Sequence, residues 1–269
     1  MPSYAIAGAS RGIGYALLKE LSADPANVVI GIVRSTGPLE EKIANELPGR
    51  KNIHVVYGDL VNLSSLKSAA DSVSAITGGS LDVLIANAAI VKPDFYSIDD
   101  PKQKWEDFDK DCLDSFNTNA LGTIHLMALF VPLIRKGQLK KIVAISSGMA
   151  DIDFILESGV RFQSPYAISK AALNLAIAKF HVEHAKEGIL FMALSPGFVD
   201  TGHANLNLIP GGGAGMQELM DAMTRYAPHV VRPATPEESA TAVLNVIDKA
   251  TIEKNGGIMV SHLGTKRWL

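Results

Sequence analysis

The 269-residue sequence predicts an α/β fold, a doubly wound parallel sheet of about seven strands with helices on both faces. Short apolar runs rich in β-branched residues alternate with longer amphipathic stretches of helical period. Continuous apolar runs are typical of strands that are buried on both faces. The hydrophobic content of 47% suits a large core, and no repeat or low-complexity linker divides the chain. We therefore expect one domain over residues 1–269.

The predicted elements alternate along the whole chain. Strands are expected at residues 4–7, 28–33, 53–57, 83–86, 142–145, 189–194 and 257–260. Helices are expected at residues 13–21, 39–47, 63–76, 116–134, 167–185 and 236–249. Two segments, 91–105 and 198–232, interrupt this alternation and follow strands, so both belong at the carboxyl edge of the sheet, where ligands bind. The second contains Gly211-Gly212-Gly213-Ala214-Gly215 and is either a lid over the substrate side or an exposed loop.

Charge and cysteine content exclude several classes of protein. The net charge of −3 gives no reason to expect a nucleic acid or a membrane surface as partner. The single Cys112 cannot form an internal disulfide, which indicates a reducing compartment. A strand predicted from residue 4 leaves no room for a targeting segment, and no apolar stretch approaches the length of a transmembrane helix, so we expect a cytoplasmic protein. His181 and His184 share a predicted helix without a third ligand, so no metal site is predicted.

A glycine-rich turn joins the first strand to the first helix and reads Gly8-Ala9-Ser10-Arg11-Gly12-Ile13-Gly14. Gly8 permits a tight turn, Gly12 lets the backbone approach a pyrophosphate, and Gly14 lets the helix pack closely on the strand. The helix N-terminus offers free N–H groups and partial positive charge to phosphate. The turn therefore predicts a dinucleotide site, although three glycines alone also suit an ordinary turn.

The end of the second strand predicts which dinucleotide is bound. Sites for NAD usually end this strand with an acidic residue that binds the ribose 2′-hydroxyl. Here the strand ends in Val33-Arg34-Ser35, and no acid follows until Glu40. Arg34 is able to pair with a 2′-phosphate, and Arg11 in the glycine turn adds a second charge. We predict NADP(H) as cofactor, the alternative being two solvated arginines.

Three residues that follow the next two strands are candidates for the nucleoside part of the same site. Asp59 is placed to accept from the adenine amino group, and Leu60 to contact the ring. Asn87 is placed to hold adjacent strands together and to approach the ribose. Asp59 also suits a helix cap or a turn, and Asn87 alone carries little weight.

Tyr166 and Lys170 lie four positions apart at the start of a predicted helix, so both face the same side, about one turn apart. Reduction of a ketone needs an acid that protonates the developing alkoxide, and an unperturbed tyrosine, with a pKa near 10, is poorly matched to neutral pH. A nearby ammonium, together with the positive charge of the nicotinamide, is expected to lower the tyrosine pKa. The alternative is an ordinary helix with a buried tyrosine and an exposed lysine.

Two further polar residues are expected near this pair. Ser147 follows the fifth strand and is placed to donate a hydrogen bond to the substrate oxygen, with Ser146 as a close competitor. Asn119 lies in the predicted helix before that strand, and its amide is able to hold a water that links Lys170 to solvent. A polar residue within a helix is otherwise exposed or bonds back to its own helix.

Together these residues resemble the short-chain dehydrogenase/reductase family, from the glycine turn to Asn255-Gly256-Gly257. The resemblance implies a Rossmann-like fold, a catalytic tetrad of Asn119, Ser147, Tyr166 and Lys170, and cofactor contacts from Tyr166 and Lys170. It also implies a nicotinamide-contacting segment and a homodimer or homotetramer formed through the long helices. The residues expected in that segment are Pro196, Gly197, Val199 and Thr201.

The sequence departs from the family pattern at a few positions. Ala7 stands where a threonine often precedes the glycine turn, and Asn87-Ala88-Ala89 replaces Asn-Ala-Gly; we expect both changes to tune the site rather than abolish it. The spacing of 19 positions between Ser147 and Tyr166 is longer than in many members and leaves the choice between Ser146 and Ser147 open. The ending Gly257-Ile258-Met259-Val260 and the run Ser164-Pro165-Tyr166 resemble the sniffer-like carbonyl reductases within this family.

We predict an oxidoreductase that transfers a hydride between NADP(H) and a carbonyl or alcohol. The alternatives are a member of the same fold that performs non-redox biosynthetic chemistry, and a dinucleotide-binding sensor or scaffold. An apolar or aromatic small-molecule substrate is expected from the side chains near the site, which are Phe95, Met149, Phe154, Phe198 and Leu206.

Overall fold

A computed structural model describes residues 1–92, 97–99, 104–202 and 212–269. Its centre is a seven-stranded sheet in the order β3-β2-β1-β4-β5-β6-β7, in which every neighbouring pair is parallel. The order reverses between β1 and β4, which creates the crevice where open α/β sheets bind ligands. The strands are β1 Ser3–Ala7, β2 Val28–Val33, β3 Ile53–Tyr57, β4 Val83–Ala86, β5 Lys141–Ile145, β6 Leu190–Ser195 and β7 Met259–Ser261.

Helices cover both faces of the sheet, which confirms the predicted fold class. Apolar side chains of α3, α5 and α7 pack on one face, and those of α1, α2 and α9 pack on the other. Both layers exclude water from the strands, as expected for continuous apolar runs. The helices are α1 Gly12–Leu21, α2 Thr36–Glu46, α3 Leu63–Thr77, α4 Trp105–Ser115, α5 Thr123–Ile134, α6 Ile152–Ser158, α7 Ser164–His184, α8 Gly212–Tyr226, α9 Pro236–Lys249 and α10 Ile252–Asn255.

The helix predicted over 116–134 is longer than expected. It begins at Trp105, and a π-helical segment, Phe116–Gly122, joins α4 to α5. The continuous run Trp105–Ile134 is long and apolar enough to cross a membrane by length and composition, contrary to the expectation from the sequence. Core helices of soluble proteins are often equally long and apolar. In Trp105–Ile134, 56% of the most apolar 18-residue stretch is buried within this fold. Its apolar side is the one that packs on the sheet.

Three further helices were not predicted, namely α6, α8 and the single turn α10. Helix α6 occupies the long spacing between Ser147 and Tyr166, where Asp151 caps it by accepting a hydrogen bond from the backbone N–H of Phe154. Helix α8 occupies half of the segment expected to be a loop, and it begins at Gly212 within the glycine run. The residues after that run include strong helix formers such as Gln217, Glu218 and Leu219, which explains the helix. Gly211 lies outside the described residues.

Helix α1 packs closely on the end of β1 at Gly14, where no space remains for a side chain. We therefore expect Gly14→Ala to be strongly destabilising. An added Cβ would lie 2.1 Å from the carbonyl oxygen of Gly8 and 2.5 Å from Nδ2 of Asn87. We expect the free energy of unfolding to fall by roughly 3 kcal/mol, because both neighbours are held by the sheet. Urea unfolding followed by circular dichroism measures this loss.

Gly37 provides the control, since it lies in α2 and an added Cβ there meets nothing within 4 Å. Gly37→Ala is expected to raise the free energy of unfolding by about 0.5 kcal/mol. Equal stabilities for the two variants would contradict the close packing assigned to Gly14.

Candidate active site

A cavity of about 800 Å³ opens at the carboxyl edge of the sheet, a volume suited to a small-molecule site. Two of the predicted site residues, Gly14 and Asn119, are absent from its lining and lie behind the wall. The other predicted residues line it: Gly8, Ser10, Arg11, Gly12, Ile13, Arg34, Asp59, Leu60, Asn87, Ser147, Tyr166, Lys170, Pro196, Gly197, Val199 and Thr201.

The glycine turn has the backbone that a phosphate cradle requires. Gly8 and Gly12 have φ angles of +80° and +54°, a region that favours glycine, and a Cβ on Gly8 would lie 2.7 Å from Cα of Ala88. Helix α1 begins at Gly12; its N-cap, Arg11, makes no side-chain cap, and the first turn holds no acid. The N–H groups of this turn therefore face the cavity without a competing anion, and the residues fit a dinucleotide pyrophosphate.

Asn87 secures the turn from the neighbouring strand. Its Nδ2 donates to the carbonyl oxygen of Gly8 at 3.1 Å, so β4 and the glycine turn are joined directly. Asp59 follows β3 at the edge of the sheet, where one of its carboxylate oxygens accepts from the N–H of Val61 at 3.2 Å. Asp59 thus performs the turn role considered for it and also lines the cavity, beside the buried Leu60.

Arg11 and Arg34 are both exposed and lie on the cavity wall at the end of β1 and of β2. These two strands are neighbours in the sheet, so both guanidinium groups belong to one rim of the cavity. The rim therefore carries positive charge where the sequence predicts a 2′-phosphate.

Ser147, rather than Ser146, adjoins the tyrosine. A hydrogen bond from Ser147 counteracts part of the rise in the Tyr166 pKa, and Oγ of Ser147 also accepts from the N–H of Met149 at 3.2 Å. Ser146 also lines the cavity, but it is 1% exposed and its hydroxyl hydrogen is donated to Oδ1 of Asn174 at 2.7 Å. The geometry favours Ser147 over its neighbour as the hydroxyl able to meet a substrate.

Lys170 lies behind Tyr166, with Nζ 5.8 Å from the centroid of the tyrosine ring. The ammonium donates to the carbonyl oxygen of Ile145 at 2.7 Å, and the residue is only 2% exposed. Burial lowers the Lys170 pKa to about 7, since a buried ammonium loses its hydration. The group therefore titrates near neutral pH.

Within the protein alone, the pKa of Tyr166 is raised rather than lowered. Burial raises the pKa of Tyr166 to about 12, and the hydrogen bond from Ser147 only partly opposes that rise. Desolvation disfavours the charged phenolate and is the largest cause of the shift. Tyr166 consequently holds its proton at neutral pH.

Asn119 is fully buried in the π-helical segment, a type of distortion that recurs at functional sites. Its Oδ1 accepts from the N–H of Ile90 at 2.8 Å, while Nδ2 donates to the carbonyl oxygen of Ile90 and to Oγ of Ser169, each at 3.0 Å. Both amide hydrogens are therefore used within the protein, so a water beside Lys170 would have to bind the remaining lone pair of Oδ1. The side chain ties the end of β4 to helix α7.

The segment after β6 completes the cofactor side. Gly197 has a φ of +88°, and a Cβ there would lie 2.8 Å from the ring of His262, so this turn also needs glycine. Val199 forms a β-bridge with Ala234, which fixes the segment as it leaves the sheet. Thr201 then reaches the glycine turn, with its side chain 3.5 Å from where a Cβ on Gly12 would stand. Pro196 to Thr201 thus form the wall opposite the phosphate cradle.

The remaining wall of the cavity, called here the substrate half, is mostly apolar. It includes the predicted Met149, Phe154 and Phe198, whereas Phe95 and Leu206 lie outside the described residues. Sequence reasoning missed Gln163, three side chains of α8, and the last two residues of the chain. The substrate half is lined by Met149, Phe154, Gln163, Phe198, Leu219, Met220, Met223, Trp268 and Leu269.

Comparison with known proteins agrees with this geometry. A family model described as short chain dehydrogenase matches residues 4–207. The short chain dehydrogenase virK of Hypocrea virens is 43% identical over 272 aligned residues that cover all of both chains. The NADPH-bound carbonyl reductase from chicken fatty liver has a TM-score of 0.75 at 25% identity, covering 98% of each chain. The carbonyl reductase Sniffer of D. melanogaster has a TM-score of 0.76 at 24% identity, again covering 98% of each chain, which shows a shared fold.

The matched residues include the glycine turn, Ser147, Tyr166 and Lys170, which the fold brings to one cavity. The chain therefore belongs to the short chain dehydrogenase family of oxidoreductases, which act on alcohol or carbonyl groups with a nicotinamide dinucleotide.

Proposed function

We propose that the protein is an NADP(H)-dependent carbonyl reductase for apolar or aromatic ketones. The observation that carries the proposal is the paired hydroxyl groups of Ser147 and Tyr166, which lie in the cavity between the glycine turn and the apolar substrate half. A ketone in the substrate half meets both hydroxyls with its oxygen. Protein groups of this kind accelerate reduction by holding the reacting oxygen and by donating a proton to it.

The bound nicotinamide supplies or accepts the hydride in this chemistry. Ser147 and Tyr166 hold the carbonyl oxygen, and Tyr166 donates its proton as negative charge develops there, because an alkoxide is a much stronger base than a phenolate. Lys170, with a pKa of about 7, is able to return a proton to the tyrosinate at neutral pH. Asn119 positions helix α7 through Ser169, whose hydroxyl donates to the backbone oxygen of Tyr166 at 2.7 Å.

The preference for NADP(H) is supported by the positive rim formed by Arg11 and Arg34. We expect Arg34→Asp to shift the ratio of kcat/KM for NADPH to that for NADH toward NADH by roughly a hundredfold. A charge-assisted hydrogen bond contributes about 1.5–3 kcal/mol, about 1.4 kcal/mol corresponds to tenfold, and the new carboxylate repels a phosphate. Steady-state kinetics with both cofactors and one ketone measures the shift.

Lys51→Asp is the matched control, because Lys51 is exposed and outside the cavity lining. This variant makes the same change of net charge and is expected to keep the wild-type cofactor ratio. An unchanged ratio in Arg34→Asp would rule out the phosphate contact.

The reaction itself is tested by NADPH oxidation with a panel of ketones comprising tetralone, its ring-hydroxylated isomers and octanone. We expect the aromatic ketones to be reduced and octanone to react more slowly, because the substrate half presents aromatic and thioether side chains. Cofactor binding without turnover would indicate a sensor, and substrate conversion without net NADPH loss would indicate non-redox chemistry.

We further propose that the protein is a homodimer or homotetramer. Helix α7 carries a stripe of exposed apolar side chains at intervals of seven, Ile168, Leu175 and Val182, with 53%, 68% and 79% of their surface exposed. A row of this kind is suited to pairing with a second copy of the helix. The mass measured by light scattering tests this assembly, and a monomer across the concentration range would refute it.

A further inference from the structure

Gln163 interrupts the apolar wall of the substrate half with an uncharged amide. It lies three residues before Tyr166 and lines the same cavity as Ser147 and Tyr166. Beyond those two hydroxyls, the neighbouring wall consists of Met149, Phe154 and the apolar side chains of α8. A polar group in such a wall is unfavourable unless it finds a hydrogen-bonding partner.

The backbone of Gln163 adopts a conformation that glutamine seldom takes. Its φ and ψ are 59° and 36°, and Lys140 is the other non-glycine residue with positive φ in the described ranges. Left-handed backbone at a non-glycine residue is strained and persists where the surroundings fix it. Phe162 is 7% exposed and packs with Phe154 and Met223, while Pro165 is buried on the other side. The strained residue is therefore held between two buried neighbours.

The side chain of Gln163 has no structural duty that explains this conformation. It stands at the N-cap of α7 yet makes no capping hydrogen bond. Within the part of the chain that the structure describes, its amide has no hydrogen-bond partner, although it has two donor hydrogens and an acceptor oxygen. An amide that has no protein partner and belongs to the same cavity lining as the reacting hydroxyls is suited to bind a ligand.

We propose that Gln163 is a specificity-determining residue that hydrogen-bonds a second oxygen substituent of the substrate. The substrate class is then an aromatic ketone with a hydroxyl or a further carbonyl on its ring system, rather than a plain aromatic ketone. This inference rests on the proposed reductase function. The amide accepts from a hydroxyl or donates to a carbonyl, so both substituents are recognised by one side chain. A site built to bond such a group discriminates against the analogue that lacks it.

The test compares kcat/KM for tetralone with kcat/KM for each hydroxytetralone isomer. We expect the wild-type protein to prefer at least one hydroxylated isomer by about tenfold, the factor that corresponds to about 1.4 kcal/mol. Gln163→Met keeps the length of the side chain and the backbone strain but removes the amide, so the ratio of kcat/KM for the preferred hydroxytetralone to kcat/KM for tetralone is expected to fall to about one. Gln163→Gly removes the amide and also relieves the positive φ, and it is expected to lose the same preference with unimpaired folding.

Gln217→Met is the matched control, because Gln217 lies on α8 outside the cavity lining and bonds Asp221 at 2.9 Å. It is expected to keep the wild-type preference. Equal losses for tetralone and its hydroxylated isomers in both Gln163 variants would assign the residue a structural role and overturn the proposal. A wild-type protein that reduces tetralone but prefers no hydroxylated isomer would overturn it as well. Failure to reduce any ketone of the panel would instead remove the proposed function on which the inference rests.

Discussion

Tyr166→Phe is expected to lower kcat by about a thousandfold while NADPH binding is retained. The substitution removes only the hydroxyl that donates the proton, and proton transfer by a positioned group contributes roughly a hundredfold to ten-thousandfold in rate. We expect the loss in kcat rather than in KM, because the hydrogen bond from the Tyr166 hydroxyl to the substrate oxygen strengthens as negative charge develops on that oxygen. Single-turnover reduction of tetralone measures the rate, and quenching or enhancement of NADPH fluorescence measures cofactor binding.

Tyr15→Phe is the matched control for the loss of a tyrosine hydroxyl. Tyr15 lies on α1 and its hydroxyl donates to Glu46 at 2.9 Å, outside the cavity. This variant is expected to turn over at the wild-type rate. Full turnover by Tyr166→Phe, with cofactor bound, would remove Tyr166 from the reaction and with it the proposed mechanism.

The strands and the cofactor cradle were predictable because they depend on local sequence. A parallel strand buried on both faces is continuously apolar. The predicted strands accordingly begin and end within two residues of the strands in the sheet. Residues that follow such strands reach one edge of the sheet, which places Gly8, Asn87 and Ser147 around one cavity. Topology alone therefore gathers most of the candidate site.

The helices that were missed lack such a local signal. Helix α4 has few apolar residues and a high density of acidic ones, and α8 begins within a run of glycines. Trp268 reaches the cavity from the C-terminal end of the chain and packs on Gly148, where an added Cβ would lie 2.9 Å from its Cβ. No spacing rule links two residues so distant in sequence, so the substrate half was the least predictable part of the site.

The rise of the Tyr166 pKa within the protein alone was missed for a different reason. Sequence spacing placed Lys170 one helical turn away and so predicted an attractive charge. Spacing carries no information on burial, and burial dominates both groups, raising the Tyr166 pKa and lowering the Lys170 pKa. Desolvation can be judged only once the helix is packed on β5, where Lys170 meets the carbonyl oxygen of Ile145.

The buried amine of Lys170 also predicts how stability depends on pH. Its pKa is lowered from 10.5 to about 7 in the folded protein. Between these values the unfolded chain carries a proton on this lysine that the folded protein lacks, so stability rises as pH rises through this window. The slope approaches about 1.4 kcal/mol per pH unit, which amounts to roughly 3 kcal/mol between about pH 7 and about pH 9.5. Tyr166 has the opposite effect on stability, because its pKa is raised in the folded protein. That effect begins only above pH 10.0, where the tyrosine of the unfolded chain loses its proton.

Lys170→Met is expected to abolish this rise, because methionine fills a similar volume in the 2% exposed position and does not titrate. The free energy of unfolding is measured in urea at pH values from about 7 to about 9.5, without added cofactor, for both proteins. Burial also lowers the pKa of Lys141. This lysine is present in both proteins, so its contribution cancels when the two pH profiles are subtracted. Parallel pH profiles for the two proteins would mean that Lys170 keeps an ordinary pKa when folded. In that case a fully charged ammonium would stand behind Tyr166 at neutral pH, and the pKa of about 7 assigned to Lys170 would have to be abandoned.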